Sequence, residues 1–230
     1  MKRILAFLLI ATFCVAARAA DDQARLDDRL DSARNVIDSI MSVPDKAVPD
    51  GIARRATCIA VVPGVVKGAF IVGAEYGQGV VTCRTHHGWS GPVFIRLAGG
   101  SFGFQIGGKG TDLVLVATNN RGLQDLLRDK FKIGADASAA AGPVGRDAQA
   151  GTDISMRAEL LAWSRSRGVF AGIDLNGVSV SQNREDTDVL YGGGAHTFEQ
   201  ILHGAVPPPP QAEGFLHAIR QYFGDAEMHH

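Results

Sequence analysis

Glycine constrains this chain more than any other residue. Of 230 residues 28 are glycine, and thirteen of those fall between Gly64 and Gly110. A helix interior loses about 1 kcal/mol for each glycine relative to alanine, so this stretch is not helical. Between the glycines stand short apolar runs at 58–62, 69–72, 79–83, 93–97, 102–106 and 112–117. That length and spacing predict strands, with the glycines supplying turns, bulges and close sheet packing. Pro63-Gly64 is expected to stop the first run.

Helical periodicity flanks this region. Leu26, Leu30, Ala33, Ile37, Ile40 and Met41 recur at three- and four-residue steps over 21–41. The other face mixes Asp27, Asp28, Asp31 and Asp38 with Arg25, Arg29 and Arg34. A membrane-surface helix is rich in Lys and Arg, so this one is expected to pack on the domain. Asn119-Asn120 caps a second helix carrying Leu123, Leu126, Leu127 and Phe131. The small-residue segment 134–150 reads as irregular. Runs at 169–175 and 178–180 flank Asn176-Gly177, a hairpin signal. Thr197 and Gln200 form a capping box before Ile201. A polyproline spacer at 207–210 precedes a last amphipathic helix with Phe215, Leu216, Ile219, Tyr222 and Phe223. The fold class is therefore α+β: a Gly-rich, mainly antiparallel β core, sandwich or barrel-like, with flanking N- and C-terminal helices.

Residues 1–19 read as a cleaved signal peptide: Lys2-Arg3, an apolar run over 4–16, then Ala17-Arg18-Ala19. The apolar run is too short to span a bilayer, and Phe13 before Cys14 argues against lipidation. The rest divides into a domain at 20–195 and a helical extension at 196–230. The protein is expected to be exported, periplasmic or envelope-associated. Formal net charge is −1. Losing Lys2, Arg3 and Arg18 leaves 20 basic and 24 acidic residues, or −4. Such a chain has no global positive field for nucleic acid. Cys58 and Cys83 remain after cleavage; an even pair in an exported protein suggests a disulfide, and two buried thiols on neighbouring strands fit equally well.

Catalytic motifs are few. Gly99-Gly100-Ser101-Phe102-Gly103 matches the nucleophile-elbow pattern, which needs a strained strand-to-helix turn, whereas a strand-like run follows Ser101. A serine hydrolase using Ser101, with a downstream acid and His196, is thus the alternative class. Residues 103–109 approach a phosphate-binding loop, but Gly110 stands where Ser or Thr must hold magnesium. Cys83, His86 and His87 lack a fourth metal ligand at a familiar spacing. Glu185, Asp186 and Asp188 lack calcium-loop spacing and read as solvated surface charge. No enzyme activity, cofactor or metal is expected. Lys67, Lys109, Arg121 and Arg146 lie in or beside glycine-rich turns, where a cation and free backbone amides suit an anionic head group.

An ordered series of strings resembles a known family. Ile59-Ala60-Val61-Val62-Pro63-Gly64-Val65-Val66-Lys67-Gly68, Tyr76-Gly77-Gln78-Gly79-Val80 and Trp89-Ser90-Gly91-Pro92 look like the SYLF domain. Gln105-Ile106-Gly107, Gly142-Pro143-Val144-Gly145-Arg146, Ser164 through Gly172 and Leu190-Tyr191-Gly192 continue the match over roughly 35–195. The resemblance implies lipid binding, with phosphoinositide binding and actin association in eukaryotic members and exported or envelope proteins among bacterial ones. Helix 21–41 is acid-rich here, and an exported protein meets no actin. What carries over is peripheral binding of anionic phospholipid head groups or amphiphiles. Lys67 and Arg146 fall within matched motifs, and Lys109 and Arg121 are added from the residues alone. A structural or protein-partner role in the envelope is a further alternative.

Overall fold

The computed structural model describes residues 2–69, 73–101, 110–144, 158–166, 169–170 and 175–224. Helix α1 (Lys2–Met41) and the short α2 (Asp50–Ala53) precede a long ribbon of β1 (Cys58–Ala69) and β2 (Gly73–Thr85). The short β3 (Gly88–Trp89), then β4 (Val93–Ser101) and β5 (Thr111–Ala117), follow. Helix α3 (Asn120–Leu127) leads into β6 (Lys130–Lys132), β7 (Ala139–Ala141), β8 (Leu160–Ser166), β9 (Val169–Phe170) and β10 (Ser179–Gln182). Helices α4 (Arg184–Leu190), α5 (Phe198–Leu202) and α6 (Glu213–Phe223) close the chain.

The strands form one sheet in the order β6-β10-β4-β2-β1-β5-β8-β7. Pairing is antiparallel except between β7 and β8. The two ends of this path, β6 and β7, are only six residues apart in sequence. Eight strands laid flat span about 34 Å, whereas the seven steps from Lys132 to Ala139 reach at most about 25 Å. The sheet therefore curls into a half-barrel.

Curling gives the sheet an inner and an outer face, each with its own core. Ala60, Val62, Val81, Ile95, Leu97, Leu113, Leu115 and Val180 point inward, where Leu126 of α3 and Ile201 and Leu202 of α5 complete the packing. Ile59, Val61, Val80, Phe94, Val114, Val116, Leu161 and Trp163 point outward beneath α1 and α6. Both faces are covered, so central strands read as unbroken apolar runs rather than alternating ones. Cys58 and Cys83 face each other across β1 and β2, with Cα atoms 4.0 Å apart and their sulfurs bonded.

Several sequence expectations need correction. Pro63-Gly64 does not end β1. Gly64 adopts φ 58° and the register shifts between Val61 and Val66, so the chain passes through a bulge and continues to Ala69. The strand expected at 69–72 is thus the end of β1, with 70–72 outside the described residues. Phe131 lies on β6, not on α3, which stops at Leu127. Asn176-Gly177 does turn the chain, with Gly177 at φ 82°, but the flanking strands do not pair. Strand β9 joins β8, while β10 runs between β4 and β6. Within the segment read as irregular, Ala139–Ala141 is a strand. The sequence-predicted capping box on α5 is present: Gln200 N–H donates to the Thr197 hydroxyl and Thr197 N–H to the Gln200 side chain.

Candidate functional site

All strands of the ribbon place their hairpin ends together. Gly73 at the start of β2 pairs with Ser101 at the end of β4, and Thr111 of β5 pairs with both Val65 and Ser166. Val66 and Tyr76 stand directly opposite each other and are 51% and 49% exposed. They are two of only three large apolar side chains left exposed among the described residues. Neighbouring apolar cross-strand residues facing water are unusual beside a sheet otherwise covered on both faces.

A polar chain runs from this pair back under α1. Gln78 donates to the Tyr76 hydroxyl at 2.8 Å and accepts from Arg29. Arg29 is only 8% exposed and stacks over the Phe94 ring at 5.0 Å. Its other nitrogen reaches the Asp186 carboxylate at 2.6 Å, and Arg25 reaches the same carboxylate at 2.9 Å. Asn183 also donates to Asp186 at 2.5 Å. Burial pushes the Asp186 carboxyl up, but the hydrogen bonds from the two guanidinium groups reverse this and hold it below the usual carboxylate range. So Asp186 is not solvated surface charge: at 4% exposure it anchors α1 to α4. Arg29, assigned from sequence to the outer face of α1, is likewise buried. Glu185, 84% exposed at its side chain, is the member of the cluster that fits the surface reading.

Of the predicted head-group residues, the two among the described residues, Lys67 and Arg121, are not brought together. Lys67 lies on β1 opposite Glu75, near the hairpin end. Arg121 is exposed at the start of α3, which follows the opposite end of β5. Cys58, at that opposite end, pairs with Ala117 and is nine residues from Lys67, about 30 Å along the strand. Arg121 instead lies near Glu159, whose carboxyl is held below the usual range first by the Ser138 backbone N–H and more weakly by Arg121 and Arg128. Lys109 and Arg146 lie outside the described residues.

Hydrolytic chemistry fares worse. Ser101 is the last residue of β4. His196 lines a cleft of about 340 Å³ with Asp129, Gln182, Arg184, Asp188 and Glu199. The register partner of Gln182 is Ile95, six residues from Ser101 and about 20 Å away along β4. His196 is therefore far from hydrogen-bond reach of that serine. The cleft is mainly acidic, which disfavours an anionic occupant. Among the described residues no three His, Cys, Asp or Glu side chains are grouped to hold a metal, and no helix is long and apolar enough to cross a membrane.

Sequence reasoning missed Val66, Tyr76 and the Arg29–Asp186 anchor. Val66 sits within a buried-looking apolar run, and it is exposed beyond the bulge in β1. A family model, Ysc84, described as Las17-binding protein actin regulator, matches residues 98–222. The SH3 domain-containing YSC84-like protein 1 of Rattus norvegicus is 32% identical over 181 residues, 78% of this chain and 53% of its own. Its Homo sapiens counterpart is 32% identical over 78% of this chain and 52% of its own. LAS seventeen-binding protein 3 of Saccharomyces cerevisiae is 31% identical over 76% of this chain and 39% of its own. The chain thus spans about half the length, or less, of these curated relatives.

Proposed function

The chain belongs to the Ysc84 (SYLF) family, and on that premise we propose that it is a non-enzymatic lipid-binding module that meets anionic phospholipid head groups or amphiphiles at the bacterial envelope after export. The observation that carries this reading is the exposed Val66–Tyr76 pair at the hairpin end, on the strand that continues into Lys67. A mature charge of −4 opposes broad adsorption to anionic bilayers, so attraction has to be local. Each basic residue near such a surface adds about 1 kcal/mol and is screened within a Debye length. A few such residues give millimolar affinity at best, so an apolar component is required. Val66 and Tyr76 supply one at the place where Lys67 sits.

Flotation with vesicles tests this. The mature chain is expected to float with phosphatidylglycerol-containing vesicles, less at high salt. It should float less again with Val66→Asp and Tyr76→Asp together, or with Lys67→Glu and Arg146→Glu together. Equal flotation with neutral vesicles, unmoved by either pair, would overturn the reading. The family's description as Las17-binding favours a second reading, a protein partner. Pull-down from an envelope extract that survives high salt while vesicles fail to bind would select it.

A further inference from the structure

Among the described residues, strand β8 presents two buried hydrogen-bond donors without acceptors. Leu161, Trp163 and Arg165 alternate onto the outer face, the first two within the core beneath the helices. Trp163 is 2% exposed, and its indole N–H is buried with no hydrogen-bond partner. Arg165 stands next along the same face, about 7 Å further. Its Nε–H is buried and without a partner too. Among the described residues no carboxylate pairs with this guanidinium. Asp112 is its register partner on β5, yet the Asp112 carboxylate accepts from the Gly64 backbone N–H at 3.0 Å. Buried donors in native proteins are nearly always satisfied, so two adjacent orphans on one strand face call for an explanation.

The surroundings hold both groups in place. The backbone at Gly142 lies flat on the indole: a Cβ there would come within 2.1 Å of Trp163 Cε2. The indole therefore cannot swing away to find an acceptor. What would satisfy both groups is an acceptor-only oxyanion, since an indole N–H and a guanidinium fork together suit phosphate or carboxylate oxygens. The same outer face also offers an apolar landing. Val65 and Ser166 share Thr111 as register partner, so Val66 lies two residues, about 7 Å, further along than Arg165 and two strand spacings, about 10 Å, to the side.

We infer that Trp163 and Arg165 form the head-group site for the phosphate of an amphiphile whose chain runs over β5 toward Val66 and Tyr76. This rests on the lipid-binding reading and assigns residues to it. The protein contains two tryptophans, so two indole N–H resonances report the outcome. Titrating the mature chain with dodecyl phosphate below its micelle concentration should shift the Trp163 resonance downfield, saturably, and leave that of Trp89 in place. Trp163→Phe assigns the peaks. Arg165→Gln should weaken binding about tenfold, the loss expected for one charge-assisted contact. Arg165→Lys should weaken it less, and Arg121→Gln should not change it. If Arg165→Gln does not fold, the wild-type titration and Arg165→Lys carry the test. Dodecanoate in place of dodecyl phosphate reports a carboxylate preference and would overturn the phosphate assignment if it binds more tightly. An equal shift with inorganic phosphate alone would make this a free-phosphate site and overturn the lipid assignment. A silent Trp163, or the same shift with dodecyl maltoside, overturns the site. Vesicle flotation run in parallel separates the two levels: flotation with a silent Trp163 overturns this inference alone, whereas absence of flotation removes the reading beneath it.

Discussion

Asp186 is the residue on which most of the buried charge depends. It receives Arg25, Arg29 and Asn183, and Arg29 has no second carboxylate in reach among the described residues. Removing the Asp186 charge strands a buried guanidinium, a change that costs about 3–5 kcal/mol. Asp186→Asn should lower the urea midpoint accordingly, and an unchanged midpoint would show that the ion pair contributes no net stability. The carboxyl titrates below the usual carboxylate range when folded. Its contribution is therefore complete above the unfolded value of about 3.9 and fades as pH falls through the lower folded value. Melting temperature of the wild type should drop more steeply than that of Asp186→Asn from about pH 4 downward. Cys58 and Cys83 make a second residue-scale test. Closing a loop of 25 residues contributes about 3 kcal/mol in the chain-entropy model. Intact mass of the protein should rise by two hydrogens on reduction, and alkylation of both thiols without reductant would contradict the bond.

At the scale of elements, the α5 capping box gives a small and clean effect. Thr197→Ala removes the hydroxyl that accepts from Gln200 N–H and should cost about 1 kcal/mol, measured by urea denaturation. Gly142→Ala acts through packing instead: its Cβ would overlap the Trp163 ring, which is held in the outer core, so β7 must move off β8. A loss of about 1–3 kcal/mol is expected from such overpacking, with a shift in tryptophan emission as its signature. These elements also mark what a reader of the sequence can see. Helix caps at Asn119 and Thr197 and the strands around 58–62, 79–83, 93–97 and 112–117 were legible because each carries a local signal. Strand β8 was not, because its second half, Ser164-Arg165-Ser166, breaks the apolar run. Strands β6 and β7 were not, because three residues carry no periodicity. Of the candidate site, Lys67 was visible from its motif. Val66 and Tyr76 become distinctive only through their cross-strand pairing beyond the bulge in β1, and Asp186 only because it meets α1 across 157 residues.

For the whole molecule the decisive question is whether the C-terminal helix is an appendage or part of the core. The polyproline stretch at 207–210 suggests a spacer, and from sequence alone 196–230 reads as an extension. In three dimensions Phe215, Leu216, Ala218, Ile219 and Phe223 of α6 are all buried in the outer core against α1. The end of the helix is tied down as well. Arg84 of β2 donates to the Phe223 carbonyl at 2.8 Å and Trp89 of β3 to the Gly224 carbonyl at 2.7 Å. Five buried apolar side chains, four of them large, represent roughly 1.5–3 kcal/mol each for the large ones. That sum is comparable with the 5–15 kcal/mol by which a domain is stable. Ending the chain at residue 205 should therefore abolish cooperative unfolding, not merely trim a tail. Near-ultraviolet circular dichroism and a urea titration of the shortened chain provide the check. A sharp transition with the wild-type midpoint would show that the sheet and α1 form a self-sufficient unit and that α6 is free to serve a partner.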